Sequence, residues 1–412
     1  MDVFDVNYDG VDDFVVSALV DVEKQLGAGV SCCNVSPELV PKIQKIVPLL
    51  LLSNSRGQYE QIRFPDAAQT IRAWAGRFFQ HDSELYFFWG RNGEISDPVD
   101  GNNGESGILF RIDRERRGKN LFEVIADTKI PTTTVSVDIV ETSDGNVFVI
   151  ENNYQDFSAA DTYGRSYIYS FGTNKKFQLA SITPTGFDPN KVNNEIKVRD
   201  LNSDGKLDVV VAAEVLFNHG TGKKQTDDIG SYILFDPLGQ PKRHLLPRPY
   251  FGDNHAGHHV ELLKIGEQLY LIEIGVRYEQ RNNFQEPGLS IYELAQDGRP
   301  VKIDTGFSEK FTVNKFQMSG MQLTDLDADG VHEVFFQSFS DAPLYLKFNS
   351  KDRVFDLISV ETSFFEKPKS GKGRAVILSA DKSKSCFRIA SMEDWNRADK
   401  PRLHISKKCM KP

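Results

Sequence analysis

Apolar runs of strand length recur along the chain, and polar turns separate them. Val, Ile, Phe, Tyr and Leu fill the runs, whereas Gly, Asn, Asp and Pro occupy the turns, which is the pattern of antiparallel strands. Strand–turn–strand units recur every 55–65 residues, and a further strand pair precedes each of them. These units begin at Leu49, Ile108, Ser166, Ser231, Leu289 and Leu344. The pattern therefore predicts a series of four-stranded antiparallel sheets.

The regular spacing of these sheets predicts the fold class. A repeat of this length indicates a repeat architecture, and four-stranded sheets repeated around an axis form a β-propeller. For 412 residues we predict one all-β propeller domain of seven four-stranded blades, with six or eight as alternatives. A short helical insertion is expected near 17–48. The blades are predicted at about 1–65, 66–130, 131–185, 190–250, 255–305, 312–362 and 370–412.

A nine-residue polar pattern occurs three times, each time before an apolar run. Every copy has a side-chain oxygen at positions 1, 3, 5 and 9 and Gly at position 6. The oxygen-bearing residues are Asp5, Asn7, Asp9 and Asp13; Asp200, Asn202, Asp204 and Asp208; and Asp325, Asp327, Asp329 and Glu333. Ca²⁺ takes about six to eight oxygen ligands, and Gly permits the tight turn around the ion. We therefore predict three Ca²⁺ sites, with the backbone carbonyls of Val11, Lys206 and Val331 as further ligands.

The loop pattern allows two other interpretations. An EF-hand needs an acid at position 12, where this chain has Val16, Val211 and Phe336, so that motif is excluded. Acidic turns without metal are the alternative, because Asp, Asn and Gly are ordinary turn formers. The same four positions are filled in all three copies, and this repetition favours Ca²⁺.

The three loops resemble the FG-GAP and VCBS repeats, the calcium-loop propellers of integrin α-subunit heads and many bacterial secreted proteins. The resemblance covers the repeat along nearly the whole chain and is specific at the twelve oxygen-bearing positions. It implies a propeller fold, bound calcium, and a metal loop that joins the first and second strands of a blade. It implies no particular partner, because function resides in sites grafted on folds.

Composition indicates which cellular compartment and which classes of partner to expect. The net charge is −9 and there is no basic tract, which argues against nucleic acid, whose binding depends on Lys and Arg contacts to phosphate. No apolar run is long enough for a transmembrane helix. Calcium loops suit a calcium-rich exterior, so we expect a secreted, periplasmic or cell-surface protein whose leader has been removed. The oligomeric state is left open.

The four cysteines leave two interpretations open. Cys386 and Cys409 flank the last predicted strands and could form a disulfide. Cys32 and Cys33 are adjacent, and neighbouring cysteines pair only under strain. Free buried thiols are the alternative, and no spacing is that of a zinc site.

The longest loops are expected on the blade face opposite the calcium loops, where a rigid scaffold usually carries its binding residues. Three of the eight histidines fall within 255–259. Three interpretations stay open for them: general acid–base groups, ligands of a transition metal, or structural residues. The candidate ligand-binding residues are Trp89, Tyr154, Asp156, His255, His258, Arg277 and Tyr278.

Two functions follow from these candidates. The favoured prediction is a non-enzymatic, calcium-stabilised recognition or adhesion module for a glycan or an extracellular protein. The alternative is a polysaccharide-active enzyme of the lyase type. In the lyase, His255 or His258 would abstract a proton, Tyr278 would protonate the leaving oxygen, and Arg277 would neutralise a uronate carboxylate.

Overall fold

The structure is a computed structural model in which most strands and their shorter turns are described. In the described part, regular structure is almost entirely β, with 3-10 turns at Asp66–Ala68 and Gly118–Leu121. None of the described helices is long and apolar enough to cross a membrane. The described ranges are 2–19, 46–54, 58–68, 72–92, 107–128, 134–153, 166–172, 176–182, 191–215, 217–218, 223–224, 230–247, 255–277, 287–303, 318–326, 329–338, 344–359, 373–381, 386–393 and 402–409.

Consecutive strands form four-stranded antiparallel meanders in the first half of the chain. Sheet one has the order β1-β2-β3-β4, sheet two β5-β6-β7-β8, and sheet three β9-β10-β11-β12. The strands of sheets one and two are β1 Asp2–Phe4, β2 Asp13–Leu19, β3 Ile46–Ser53, β4 Tyr59–Arg63, β5 Arg72–His81, β6 Glu84–Asn92, β7 Ile108–Ile112 and β8 Phe122–Asp127. Those of sheet three are β9 Thr134–Glu141, β10 Val147–Asn153, β11 Ser166–Phe171 and β12 Phe177–Ile182.

The same meander continues along the second half. Sheet four has the order β13-β14-β17-β18, and a two-stranded hairpin, β15-β16, is separate from it. These strands are β13 Lys191–Arg199, β14 Asp208–Val215, β15 Phe217–Asn218, β16 Lys223–Lys224, β17 Tyr232–Phe235 and β18 Lys242–Leu245. Sheet five comprises β19 His255–Ile265, β20 Gln268–Arg277, β21 Pro287–Leu294 and β22 Pro300–Ile303. Sheet six comprises β23 Met318–Thr324, β24 Glu333–Ser338, β25 Leu344–Asn349 and β26 Val354–Ser359. Sheet seven has three strands, β27 Gly373–Asp381, β28 Cys386–Glu393 and β29 Arg402–Cys409.

Contacts divide the chain into two compact units, 1–199 with 205–207 and 235–242, and 200–204 with 208–234 and 243–412. In the first unit β1 contacts β5, β5 contacts β9, and β9 contacts β13. In the second unit β14 contacts β19, β19 contacts β23, and β23 contacts β27. Four-stranded meanders that pack through their innermost strands are the blades of a β-propeller. The predicted all-β propeller class is therefore confirmed.

Apolar side chains cover both faces of the sheets, which explains why the strands are continuous apolar runs. Phe87 and Phe88 are adjacent on β6, so their side chains leave opposite faces of sheet two. Phe87 packs with Leu50 of sheet one and with Phe64, the residue that follows β4. Phe88 packs with Tyr169 of sheet three. In the second unit, sheets five and six share a third cluster that includes Ile272, Ile291, Phe336 and Leu346.

Carboxylates on the innermost strands connect neighbouring sheets of the first unit. Asp2 Oδ2 on β1 accepts a hydrogen bond from the backbone N–H of Phe78 on β5 at 2.6 Å. Asp138 Oδ2 on β9 accepts one from the backbone N–H of Val198 on β13 at 2.7 Å. Each bond joins the innermost strands of two consecutive sheets, so the contact between sheets is polar as well as apolar.

Two details of the predicted fold differ from the structure. The predicted helical insertion at 17–48 is not supported, because β2 continues to Leu19 and β3 already begins at Ile46. Residues 20–45 lie outside the described ranges. Sheet seven has three described strands, whereas four strands were predicted for each blade.

Candidate functional site

The first oxygen-lined loop joins β1 to β2 and is held by its own polar side chains. Asp5 Oδ1 accepts a hydrogen bond from the backbone N–H of Asp9 at 3.1 Å, and Asp5 Oδ2 accepts one from the N–H of Gly10 at 3.0 Å. Asp13 Oδ2 accepts one from the backbone N–H of Val6 at 2.7 Å. The Gly10 φ angle is +79°, a conformation that side chains other than Gly rarely adopt.

The second and third loops repeat this geometry. Asp200 Oδ1 accepts from the backbone N–H of Asp204 at 3.1 Å, and Asp325 Oδ1 accepts from that of Asp329 at 3.1 Å. Position 9 also repeats its contact: Asp208 Oδ2 accepts from the Leu201 N–H at 2.9 Å, and Glu333 Oε2 from the Leu326 N–H at 2.7 Å. The φ angles at position 6 are +81° for Gly205 and +85° for Gly330. The three loops therefore have one backbone design.

The chemistry of the loops suits a hard cation, because all the side-chain donors are oxygens. Among the described residues, however, no group of three or more His, Cys, Asp and Glu side chains converges as a metal site would. Asp327, a predicted ligand, lies outside the described ranges. Burial raises the pKa of Asp13 to about 6, as expected for a carboxylate that lies in the core.

Each loop has a different neighbour beside its carboxylates. Ser53 Oγ lies 3.2 Å from both carboxylate oxygens of Asp9. The ammonium of Lys347 lies 3.6 Å from Asp329 Oδ2 and 3.5 Å from Glu333 Oε1. Lys206 of the second loop contacts Asp236 at 2.7 Å. The three loops are thus alike in backbone but not in surroundings.

At the other end of the blades, sheet five brings together two of the sequence-predicted candidates. His255 on β19 and Arg277 on β20 are cross-strand partners. His258 is half-buried beside His259, with ring centroids 5.9 Å apart. Tyr278, the predicted acid, lies outside the described ranges, as do Tyr154 and Asp156. The backbone positions of His255 and Arg277 therefore lie opposite each other at one end of sheet five.

A buried polar cluster lies next to this pair. Glu273 lies on β20, the strand that ends at Arg277, and its side chain is fully buried. Tyr292 donates a hydrogen bond from its hydroxyl to Glu273 Oε2 at 3.3 Å. Burial, and then the charge of Glu273, raise the pKa of Tyr292, so its phenol stays protonated. Sequence analysis missed this cluster, although a glutamate inside the apolar run 269–274 was a visible signal.

Three glycines in register separate Glu273 from the sheet end. Gly257 pairs with Gly275, and Gly275 pairs with Gly288. A Cβ added at Gly257 would lie 2.0 Å from Ser231 Oγ and 2.9 Å from the backbone nitrogen of Ala213. The glycine at 257 therefore allows the Ser231 hydroxyl to approach the sheet.

Trp89 is placed differently from its predicted role as a sugar-stacking ring. Its side chain is 3% exposed and packs in the core with Phe87 and Phe110. The indole N–H donates to the backbone oxygen of Ala68 at 3.1 Å. The ring is part of the core, and the sequence alone did not distinguish it from an exposed aromatic at a strand end.

Comparison with known proteins gives structural neighbours only. No protein-family model matches the chain, and no curated protein matches it. Penicillium chrysogenum α-L-arabinanase is 10% identical, with 82% of this chain and 93% of that chain covered and a TM-score of 0.48. Fusarium graminearum α-L-arabinofuranosidase arb93a is 9% identical, with the same coverage and a TM-score of 0.47. An exo-β-1,3-galactanase from Clostridium thermocellum is 11% identical, covering 87% and 85%, with a TM-score of 0.35.

These comparisons correct the functional predictions made from the sequence. The prediction of a non-enzymatic, calcium-stabilised recognition module is wrong. The comparisons agree better with its alternative, a polysaccharide-active enzyme, but with a glycosidase instead of a lyase. The finding behind this correction is that the solved structures similar to this chain include an arabinanase, an arabinofuranosidase and an exo-β-1,3-galactanase. At 9–11% identity no residue role is transferred from them.

Proposed function

We propose that this chain is a carbohydrate-active enzyme that cleaves glycosidic bonds, on a single seven-bladed propeller domain. The substrate would bind at the sheet ends opposite the three oxygen-lined loops. The observation that carries the proposal is the cross-strand pairing of His255 with Arg277. It combines an imidazole, the commonest general acid–base group, with a permanent cation and donor. The similar solved structures include enzymes named for glycan substrates, and we extend that substrate class to this chain.

The proposed roles follow from the chemistry of glycoside hydrolysis. The reaction breaks the bond between a sugar carbon and the leaving oxygen, adds water to that carbon, and protonates the leaving oxygen; two carboxyl groups usually share these proton transfers. Asp156 is the proposed carboxyl group, and His255 or His258 the second proton-transfer group. Arg277 would donate hydrogen bonds to sugar oxygens, with Tyr154 and Tyr278 as further contacts.

Glu273 and Tyr292 are proposed as positioning residues. Both are buried, so neither touches a substrate. Their hydrogen bond fixes the middle strands of sheet five beneath residues 255 and 277. Preorganised support of this kind keeps substrate-contacting groups in register.

The test is an assay of purified protein on arabinan, galactan, xylan and pectin. New reducing ends without ultraviolet-absorbing unsaturated products are expected, since hydrolysis adds water and a lyase forms a double bond. His255→Ala and Arg277→Ala should each lower kcat/KM by at least tenfold. Arg299→Ala is the matched control, because Arg299 lies in the turn between β21 and β22, at the other end of sheet five. Full activity in both test variants would contradict the proposed site.

We further propose that Ca²⁺ binds in the three oxygen-lined loops, through the twelve side chains and the carbonyls of Val11, Lys206 and Val331. Their shared backbone geometry and their all-oxygen donors support this proposal. The ion would neutralise the carboxylates and stiffen the first turn of three blades. Calorimetric titration should find three Ca²⁺ per chain, with dissociation constants of about 10⁻⁴–10⁻³ M, and no comparable heat with Mg²⁺. Absence of binding would leave the loops as acidic turns.

A further inference from the structure

We propose that Tyr8 is the platform of a second glycan-binding site, on which a sugar ring of a neutral polysaccharide stacks. In the described part of the chain, Tyr8 is the only exposed Phe, Trp or Tyr side chain, at 55% exposure. It lies in the first compact unit, whereas His255 and Arg277 lie in the second. The choice of a glycan as its ligand rests on the proposed function.

The backbone at Tyr8 adopts a conformation that a tyrosine does not favour. Its φ angle is +56°, and Ser203, at the same position of the second loop, has a φ angle of +58°. The left-handed region is unfavourable for residues with a Cβ, and Asn and Asp enter it more readily than an aromatic residue does. The loop therefore needs a left-handed residue at this position but does not need an aromatic one. The ring at Tyr8 has another cause than the turn.

Two side chains of sheet two hold the ring in one orientation. The guanidinium of Arg114 lies over one face, with its Cζ 3.5 Å from the ring centroid. Gln80 Nε2 donates a hydrogen bond to the Tyr8 hydroxyl at 3.1 Å. Because Arg114 covers one face, the opposite face is the one that a ligand can reach. A ring that is already fixed loses little conformational entropy when a ligand stacks on it.

The arginine gives up hydrogen bonds to make this contact. Among the described residues, neither Nε nor Nη2 of Arg114 has a hydrogen-bond partner, and both atoms are inaccessible to solvent. Burial lowers the pKa of Arg114, and its interactions with Tyr8 and Asp5 oppose that shift. A buried donor without an acceptor is costly. The position of Arg114 behind the ring is thus a second unfavourable feature that a preorganised platform explains.

The surroundings of the ring favour an uncharged sugar. The face of a sugar ring that carries C–H groups is apolar, and the burial of apolar surface is favourable. Asp5 and Asp9 lie on either side of Tyr8 in the loop, and Asp9 is exposed. A carboxylate accepts hydrogen bonds from sugar hydroxyls, but it repels the carboxylate of a uronate. A neutral chain such as arabinan or galactan therefore fits this site better than polygalacturonate does.

Affinity electrophoresis through gels that contain arabinan, galactan or polygalacturonate measures binding without requiring cleavage. EDTA is present, so that calcium does not change the charge of the loop. Tyr8→Asn removes the ring and keeps a residue that accepts the left-handed conformation, whereas Tyr8→Phe keeps the ring. Ser203→Asn makes the matched change in the second loop.

A neutral polymer should retard the parent protein. Tyr8→Asn should raise the dissociation constant for that polymer about tenfold, which corresponds to the loss of about 55 Å² of buried apolar surface. Tyr8→Phe and Ser203→Asn should remain close to the parent protein, because both keep the aromatic ring at position 8.

Equal retardation of the parent protein and Tyr8→Asn would overturn this inference alone. Stronger retardation by polygalacturonate than by the neutral polymers would also overturn it. So would the absence of retardation of the parent protein by every polymer, and the release of reducing ends would then still test the proposed function separately. A ring that serves only the fold predicts a lower melting temperature for Tyr8→Asn with unchanged retardation of the folded protein, which contradicts the inference.

Discussion

The carboxylate of Asp138 on β9 lies 2.7 Å from the backbone nitrogen of Val198 on β13, whose N–H it accepts. Asp138 is 7% exposed, so the bond is shielded from water. Asp2 of sheet one makes the same contact with the backbone N–H of Phe78 in sheet two. In each case a carboxylate of one blade accepts a hydrogen bond from a backbone N–H of the next blade, so one acidic side chain links two blades.

Asp138→Ala should destabilise the protein by about 1–3 kcal/mol, because it leaves the Val198 N–H buried without its acceptor. Denaturant unfolding measures the change. Asp144→Ala is the control, since Asp144 lies in the exposed turn of the same sheet, between β9 and β10. Equal losses in the two variants would argue against a special role for the bond between sheets.

Gly257→Ala should destabilise the protein by about 1–3 kcal/mol, as overpacking of a filled interior does. The added Cβ would lie 2.0 Å from Ser231 Oγ and 2.9 Å from the backbone nitrogen of Ala213. Adding Ser231→Ala should recover part of the loss, because it removes the closer atom but not the backbone. Thermal unfolding of the two single variants and the double variant measures this coupling, and simple additivity would mean that Ser231 is not the obstacle.

Asp5→Asn should lower the melting temperature in millimolar Ca²⁺ but change it much less in EDTA. At a tenfold excess of Ca²⁺ over its dissociation constant, one site stabilises the fold by about 1.4 kcal/mol through mass action. The matched control is Asp144→Asn, which lies in a blade turn with Gly145 but without the full set of ligands. A loss of the same size with and without calcium would assign Asp5 to the turn alone, where it accepts two backbone N–H groups.

Oxidised protein should contain a disulfide between Cys386 and Cys409. The two residues are cross-strand partners on β28 and β29, and opposed residues of antiparallel strands have Cα atoms about 4.5–5.5 Å apart, within the range that a disulfide spans. Peptide mapping without reductant should recover the two cysteines in one linked peptide. Cys386→Ser should leave Cys409 reactive towards iodoacetamide, and two freely alkylated thiols in the parent protein would contradict the bridge.

Local pattern was enough to predict the sheets and the three loops. Val209, Val210 and Val211 are all buried, so a continuous apolar run indicated a strand covered on both faces. Each loop keeps its ligands within nine consecutive residues, and its hydrogen bonds are equally local. That is why periodicity alone located both the sheets and the loops.

What the sequence did not predict depends on residues that are far apart along the chain. Lys347 meets Glu333 because β24 and β25 pair, and nothing in either local sequence indicates it. Gly257, Ser231 and Glu273 come together only when neighbouring sheets pack. The burial of Trp89 has the same origin. The preference for a non-enzymatic module had a different cause, since fold-level resemblance does not determine activity.

The meander order within each sheet has a consequence for how the protein folds. Every ladder in sheet five joins strands that follow one another between 255 and 303, so each closure spans a short stretch of chain. The entropy lost on closing a loop grows with its length, and contacts between nearby residues form faster than distant ones. Each sheet is therefore expected to nucleate on its own, and native-state amide exchange should release protons in blocks that coincide with single sheets.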